Sequence, residues 1–201
     1  MSAPEAAISV VPADEASWEH LQDVFGARGT AHRCQCQRYK LRPREFFAGF
    51  PVEERAHRLR QQAGHGARGS GTTSGLVAYL DGEAVGWCAV EPRSAYAGLV
   101  RNSRVPWVGR EEDKSDGTVW AVTCFVTRAG FRKRGVARAL ARAAVEFARE
   151  RGARAVEGYP ITTKDVLLEE LHVGTEGMFA GAGLSVVSRP TIRRVVMRLD
   201  F

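Results

Sequence analysis

The sequence has few cysteines and no long hydrophobic run, and each absence argues against a class of protein. No apolar stretch approaches the roughly 20 residues of a membrane-spanning helix, so we expect no membrane partner. The opening residues, MSAPEAAISVV, lack the basic flank and apolar core of a secretory signal peptide. We therefore expect a cytoplasmic protein whose four cysteines are thiols rather than disulfides.

The charge and length of the chain further limit the class of protein to which it can belong. The chain has 201 residues, an apolar fraction of 44% and a net charge of +6, which is typical of one globular domain with a substantial core. The positive charge suits an anionic ligand. Because no basic stripe is interleaved with aromatic residues, we expect no nucleic-acid partner, and a nucleic-acid-binding domain is only a weaker alternative.

The most informative stretch runs from residue 118 to residue 152. Residues 118–126 are apolar and β-branched, which predicts a strand buried on both faces. Residues 127–134 form a basic turn, and Gly152 is placed to end the helix that follows. The apolar positions of that helix recur at helical spacing, at Val136, Leu140, Ala143, Ala144 and Phe147.

A strand, a basic glycine turn and a helix start together form an anion site. The first N–H groups of a helix have no intrahelical partner, and the helix dipole adds positive potential there. Gly135 would let a bulky anion approach the backbone closely. The pattern predicts a phosphate or pyrophosphate ligand, and the alternative is an ordinary strand–helix connection with a solvated basic face. The charged residues of this turn are Arg132, Lys133, Arg134 and Arg138.

Residues 132–137, Arg-Lys-Arg-Gly-Val-Ala, resemble the R/Q-x-x-G-x-G/A loop of the GNAT acetyltransferase superfamily, which binds the pyrophosphate of acetyl-CoA. Val126 and Phe131 stand where that family has its strand end and turn aromatic. The hexapeptide is neither a Walker loop nor a G-x-G-x-x-G motif. Because a buried strand precedes this hexapeptide and an amphipathic helix follows it, the combined pattern is specific for the GNAT loop.

The resemblance implies an α/β (α+β) fold, the GNAT fold. Its sheet is mixed and mostly antiparallel, with about six to seven strands flanked by helices and a V-shaped splay between the fourth and fifth strands. The predicted element order agrees: strand, helices, three strands, helix, strand, helix, two strands. Residues 1–201 would form a single domain, with insertions at about 27–50 and 93–117.

The resemblance also implies acetyl-CoA as co-substrate and no metal. The cofactor arm would lie in the splay, beside residues 124–126 of one strand and 156–159 of the next. The product would be an acetylated primary amine, made by direct transfer to a small-molecule or peptide acceptor. The residues expected to contact the cofactor are Cys124, Phe125, Val126, Arg132, Lys133, Arg134, Gly135, Val136, Ala137 and Arg138.

Direct transfer needs a base for the amine and an acid for the departing thiolate. Many GNAT enzymes use a tyrosine of the late helix as the acid, but Phe179 stands there and has no hydroxyl. Tyr159 is the predicted replacement, with Glu157 on the same strand face as base. Glu91 is a second candidate base. The alternative is that Tyr159 is a packing residue and Glu157 a surface charge.

The remaining reactive side chains have weaker patterns. His32, Cys34 and Cys36 invite a zinc interpretation, but a structural zinc site needs four ligands, so we expect a loop that lines the acceptor pocket. Cys124 has no nearby histidine to activate it as a nucleophile and is expected to be buried. His172 is expected in a surface loop.

Two functions therefore stay open from the sequence. The first is an acetyl-CoA-dependent N-acetyltransferase, and the second is a non-catalytic acyl-CoA-binding protein of the same fold. Pairing of the closing hairpin across a homodimer is a further hypothesis.

Overall fold

A computed structural model describes residues 7–65, 73–163 and 166–201. The sequence also predicts a glycine-rich connection at 64–75 and a polar connection at 162–172, and residues 66–72 and 164–165 of these connections lie outside the described residues. Short 3₁₀ helices occur at Phe47–Gly49, Arg93–Ala95 and Leu168–Val173. The main elements are β1 Ile8–Pro12, α1 Trp18–Phe25, α2 Gly29–Cys34, α3 Val52–Gln62, β2 Gly75–Leu80, β3 Glu83–Pro92, α4 Ala97–Asn102, β4 Val119–Thr127, α5 Val136–Glu150, β5 Ala155–Gly158, α6 Glu176–Ala180, β6 Ser185–Ser188 and β7 Val196–Asp200.

The strands form one mixed sheet of seven strands in the order β1-β2-β3-β4-β5-β7-β6. Every neighbouring pair is antiparallel except β4 and β5. A parallel pair needs a long crossover, and α5 provides it. The predicted GNAT-type sheet is confirmed. None of the helices in the described part of the chain is long and apolar enough to cross a membrane.

Helices cover both faces of the sheet. The apolar side of α5, including Val136, Leu140 and Phe147, packs on one face. Helices α1 and α3 cover the other face, where Leu21 and Trp87 have no exposed surface. Because the central strands are covered on both sides, β3 and β4 are near-continuous apolar runs rather than alternating ones.

Gly86 on β3 brings α5 close to the sheet. A Cβ at this position would lie 2.5 Å from Cγ1 of Val136 and 2.9 Å from Cδ1 of Leu140, so the present packing of α5 on the sheet leaves room only for glycine here. The contact positions the first turn of α5, and hence the basic turn before it.

Both predicted insertions contain helices that the sequence pattern did not indicate. Segment 27–50 includes α2, and segment 93–117 includes α4. Each helix has six residues, too few for a periodicity to be recognised. Tertiary contacts stabilise the first insertion, since buried Arg55 of α3 donates to the carbonyls of Phe47 at 2.6 Å and Phe50 at 2.7 Å.

The sheet splits at its centre. β4 pairs with β5 only as far as Val122 and Gly158, and the two strands then diverge. Thr123 is an extra residue on β4, because Val122 and Cys124 face consecutive residues of β3. Such a bulge bends and twists a strand. Beyond Val122, no strand in the described part of the chain pairs with the β5 side of β4, as the predicted V-shaped splay requires.

Candidate active site

The splay opens into a cleft of about 1200 Å³. The end of β4 lines its floor, and the α1–α2 connection and residues 34–38 form one wall. The opposite wall is the 3₁₀ helix Leu168–Val173 with the start of α6, and the basic turn stands at the mouth. The residues predicted for the cofactor that line this cleft are Cys124, Phe125, Val126, Arg132, Lys133, Gly135, Val136, Ala137 and Arg138. Arg134 instead lines a neighbouring depression of about 620 Å³, together with Gly135 and Arg138.

The basic turn presents free backbone N–H groups to the cleft. Gly135 is the N-cap of α5, with φ +84° and ψ −5°, a left-handed conformation that glycine adopts without the steric cost of a Cβ. It carries no capping side chain, and the first helical hydrogen bond of the turn is that from Ala139 N to Gly135 O, at 3.0 Å. The N–H groups of residues 136–138 are therefore available to an anion.

Positive charge surrounds these groups, and none of the residues that the structure describes neutralises it. The four side chains are exposed, and none forms an ion pair with any residue in the described ranges. Charges left unpaired around a helix N-terminus favour an anionic ligand. The side chains concerned are Arg132, Lys133, Arg134 and Arg138.

The base of the splay is closed by aromatic side chains. Phe179 of α6 is 1% exposed, and its ring meets that of Phe125 edge-on, with 5.8 Å between centroids. A Cβ on Gly158 would lie 2.4 Å from Cζ of Phe179. The ring that replaces the usual tyrosine therefore packs where β4 and β5 separate.

Glu157 and Tyr159, the predicted base and acid, lie side by side but away from the cleft lining. Glu157 is fully buried and Tyr159 is 3% exposed. The Tyr159 hydroxyl donates to Glu157 Oε2 at 2.9 Å, and Arg93 Nη1 donates to the same oxygen at 3.1 Å. Arg110 and Arg198 donate to Oε1 at 2.5 Å and 2.9 Å. Four donors thus occupy one carboxylate.

This environment moves both pKa values away from the range useful for proton transfer. Burial raises the pKa of Glu157, but Arg110 and Arg93 outweigh it and hold the pKa below its ordinary value. Burial and the Glu157 charge raise the pKa of Tyr159 well above its ordinary value. The arrangement favours a structural role, and catalysis by this pair stays a prediction.

Glu91, the second candidate base, is paired with Lys40. The Lys40 ammonium also lies 4.4 Å from the centroid of the buried Tyr96 ring. Burial raises the pKa of Glu91, and the nearby Lys40 opposes that shift. Glu91 is not part of the cleft lining.

Three cysteine thiols line the cleft, whereas Glu91, Glu157 and Tyr159 do not. Cys34 and Cys36 line one wall and Cys124 the floor, so Cys124 is buried as predicted. The Trp87 indole N–H donates to Cys36 Sγ at 3.0 Å. Among the residues the structure describes, no group of three or more His, Cys, Asp or Glu side chains is placed to hold a metal ion.

His172 lies in the cleft wall, not in the surface loop that the sequence suggested. Its Nδ1 is 2.8 Å from the carbonyl oxygen of Glu169. Burial lowers its pKa. Sequence spacing carried no signal for this placement, because His172 is far along the chain from the opposite cleft wall.

Comparison with known proteins agrees with this geometry. Residues 37–163 match the acetyltransferase (GNAT) family, and no curated protein matches the sequence. A GCN5-related N-acetyltransferase from Kribbella flavida is 19% identical, with 99% of this chain and 100% of that one covered and a TM-score of 0.54. An N-acetyltransferase from Staphylococcus aureus is 11% identical, with coverages of 97% and 99% and a TM-score of 0.55.

A third structure is yncA, a putative acetyltransferase from Salmonella typhimurium solved with its cofactor acetyl-CoA. It is 12% identical, with coverages of 96% and 94% and a TM-score of 0.51. At these identities the likeness concerns the fold. The family match covers more than half of the chain and includes the basic turn. The chain therefore belongs to the acetyltransferase (GNAT) family.

Proposed function

We propose that this protein is an N-acetyltransferase that moves the acetyl group of acetyl-CoA directly to a primary amine. The observation that carries the proposal is the unneutralised basic turn at the start of α5, placed at the mouth of a cleft between diverging strands. An elongated ligand with a pyrophosphate at one end and a thioester at the other suits that arrangement.

The binding roles follow from position. The N–H groups of residues 136–138 and the cations of the basic turn would hold the pyrophosphate. The arm would run along β4 towards Cys124, where the strand no longer pairs with β5. Backbone N–H groups without a strand partner could then polarise the thioester carbonyl. Holding amine and thioester together in one cleft would supply much of the rate.

The observations identify the general acid and the general base less well than they identify the cofactor site. The sequence-based proposal assigns them to Tyr159 and Glu157, and bound water is the alternative base. The buried hydrogen bond between the two side chains favours a structural role. Substituting each residue therefore tests whether the pair takes part in catalysis.

A second candidate function is acyl-CoA binding without transfer, which Phe179 favours because it lacks the tyrosine hydroxyl. The same experiments separate the two functions. Calorimetry with acetyl-CoA tests binding, and thiol release in the presence of spermidine, agmatine, kanamycin, lysine and short peptides tests transfer. Absence of acetyl-CoA binding would refute both functions, and binding without release on any of these amines would favour the second.

We also propose that residues 1–201 form one domain. All four cysteines are free thiols, which is in keeping with the reducing cytoplasm proposed from the sequence. The acceptor is a small-molecule or peptide amine, and a homodimer through β6 and β7 remains a hypothesis that sedimentation would test.

A further inference from the structure

The cleft has a cysteine whose sulfur accepts a hydrogen bond from a buried tryptophan. Cys36 is half-buried in the cleft wall. The Trp87 indole N–H donates to its Sγ at 3.0 Å, and Cys36 packs against the buried cluster that contains Trp87 and Cys124. Because the sulfur is the acceptor in this bond, the S–H proton of Cys36 is left to be donated elsewhere.

The surrounding chain holds this sulfur in place. Gln35 and Cys36 both adopt left-handed backbone conformations, with φ of +46° and +52°, which residues with side chains adopt at a steric cost. Gln35 is fully buried, and its side chain donates to Gln22 Oε1 at 3.3 Å and to the His32 carbonyl at 3.1 Å. Trp87 is also fully buried. This packing fixes the backbone that carries the Cys36 thiol.

Cys36 lies near Cys124, where the thioester of the proposed ligand would end. Cys124 stands two residues beyond Val122, the last β4 residue paired with β5, which is the deep end of the cleft when counted from the basic turn. Resting on the acetyltransferase function proposed above, we propose that Cys36 is the general acid that protonates the departing CoA thiolate. Phe179 has no proton to give, and Tyr159 already donates its hydroxyl to Glu157.

The step balances without any other reactant. The amine nitrogen bonds to the acetyl carbon, and the carbon–sulfur bond of the thioester breaks. The CoA sulfur leaves with the electron pair and takes the Cys36 proton, which yields CoA thiol and a Cys36 thiolate. The amide nitrogen loses its surplus proton to water, and water reprotonates Cys36.

The first test needs no acceptor, because it measures proximity to the CoA sulfur. Cys36 thiolate should attack the symmetrical disulfide of CoA, break its S–S bond and release one CoA thiolate. Peptide mass mapping should find CoA on Cys36, or a Cys36–Cys124 disulfide formed by a second exchange. Saturating acetyl-CoA should suppress both products, Cys34→Ser should retain them and Cys36→Ser should lack them. Their absence in a protein that binds CoA by calorimetry would overturn the proposal.

The second test is turnover on whichever amine of the panel is acetylated. Cys36→Ala should lower thiol release by ~10²-fold or more, the usual contribution of a general acid, with the dissociation constant of acetyl-CoA unchanged. Cys88→Ala, which removes a fully buried thiol outside the cleft lining, is the matched control and should keep the wild-type turnover. An active Cys36→Ala would overturn this proposal and leave the proposed function intact. A wild type that binds acetyl-CoA and transfers to no amine would overturn both.

Discussion

Replacing Glu157 with glutamine tests how the 93–117 insertion is held against the sheet. Glu157 lies on β5, Arg198 on β7, and Arg93 and Arg110 belong to the insertion. The carboxylate joins all three guanidinium groups at 2.5–3.1 Å. Glutamine keeps the size of the side chain but removes the charge. It also turns one acceptor into a donor that faces other donors.

The stability lost in Glu157→Gln is large because the ion pairs of Glu157 are buried. Glu157 and the Arg93 side chain are both 0% exposed, and removing one partner of a buried ion pair typically costs about 3–5 kcal/mol. In a protein of this size about 1 kcal/mol shifts the melting temperature by roughly 2–4 °C, so we expect a loss of roughly 6–20 °C. Glu146→Gln is the matched control, because its ion pair with Arg149 is exposed and should contribute less than about 1 kcal/mol.

The direction in which the stabilisation by Glu157 changes with pH follows from its pKa. The folded pKa of Glu157 is lowered, so its contribution to stability is complete above the unfolded pKa of about 4.3 and is lost as pH falls through the folded value. The gap between wild type and Glu157→Gln should therefore be constant near neutral pH and narrow below about pH 4. Melting curves from pH 3 to pH 8 measure it. A Glu157→Gln protein that melts like the wild type at pH 7 but has lost turnover would refute the structural role and favour catalysis by Glu157.

The remaining predictions concern the cofactor loop and the predicted acid. Gly135→Asp should abolish acetyl-CoA binding in calorimetry, because a carboxylate would face the pyrophosphate. The control Gly152→Asp, at a glycine with a similar positive φ at the far end of α5, should bind acetyl-CoA normally. Near-normal affinity of Gly135→Asp would contradict the placement of the loop. Gly86→Ala should cost about 1–3 kcal/mol by overpacking against Val136 and should weaken acetyl-CoA binding, and an unchanged melting temperature would argue against the close approach. Tyr159→Phe should lower stability by about 1.5–3 kcal/mol through the lost bond to a charged group and leave turnover within about tenfold of wild type, whereas a ~10²-fold drop at unchanged acetyl-CoA affinity would identify Tyr159 as the acid.

The sequence by itself determined the central strand, the basic turn and the helix after it. These elements are local: residues 118–152 are contiguous, and an N-terminal anion site arises wherever a glycine-containing turn starts a helix. The order of the strands followed from apolar runs and turn residues.

Tertiary structure alone decided which polar side chains meet. Glu157 could equally have been a surface charge, and nothing in its spacing indicated three arginines from positions 93, 110 and 198. The same holds for Cys36 and Cys124, which are far apart in sequence and close in the cleft, and for His172 in the opposite wall. Periodicity reports which face of an element is buried, because burial repeats along the chain. It carries no information about partners from other elements, because those contacts depend on how the elements pack around the diverging strands.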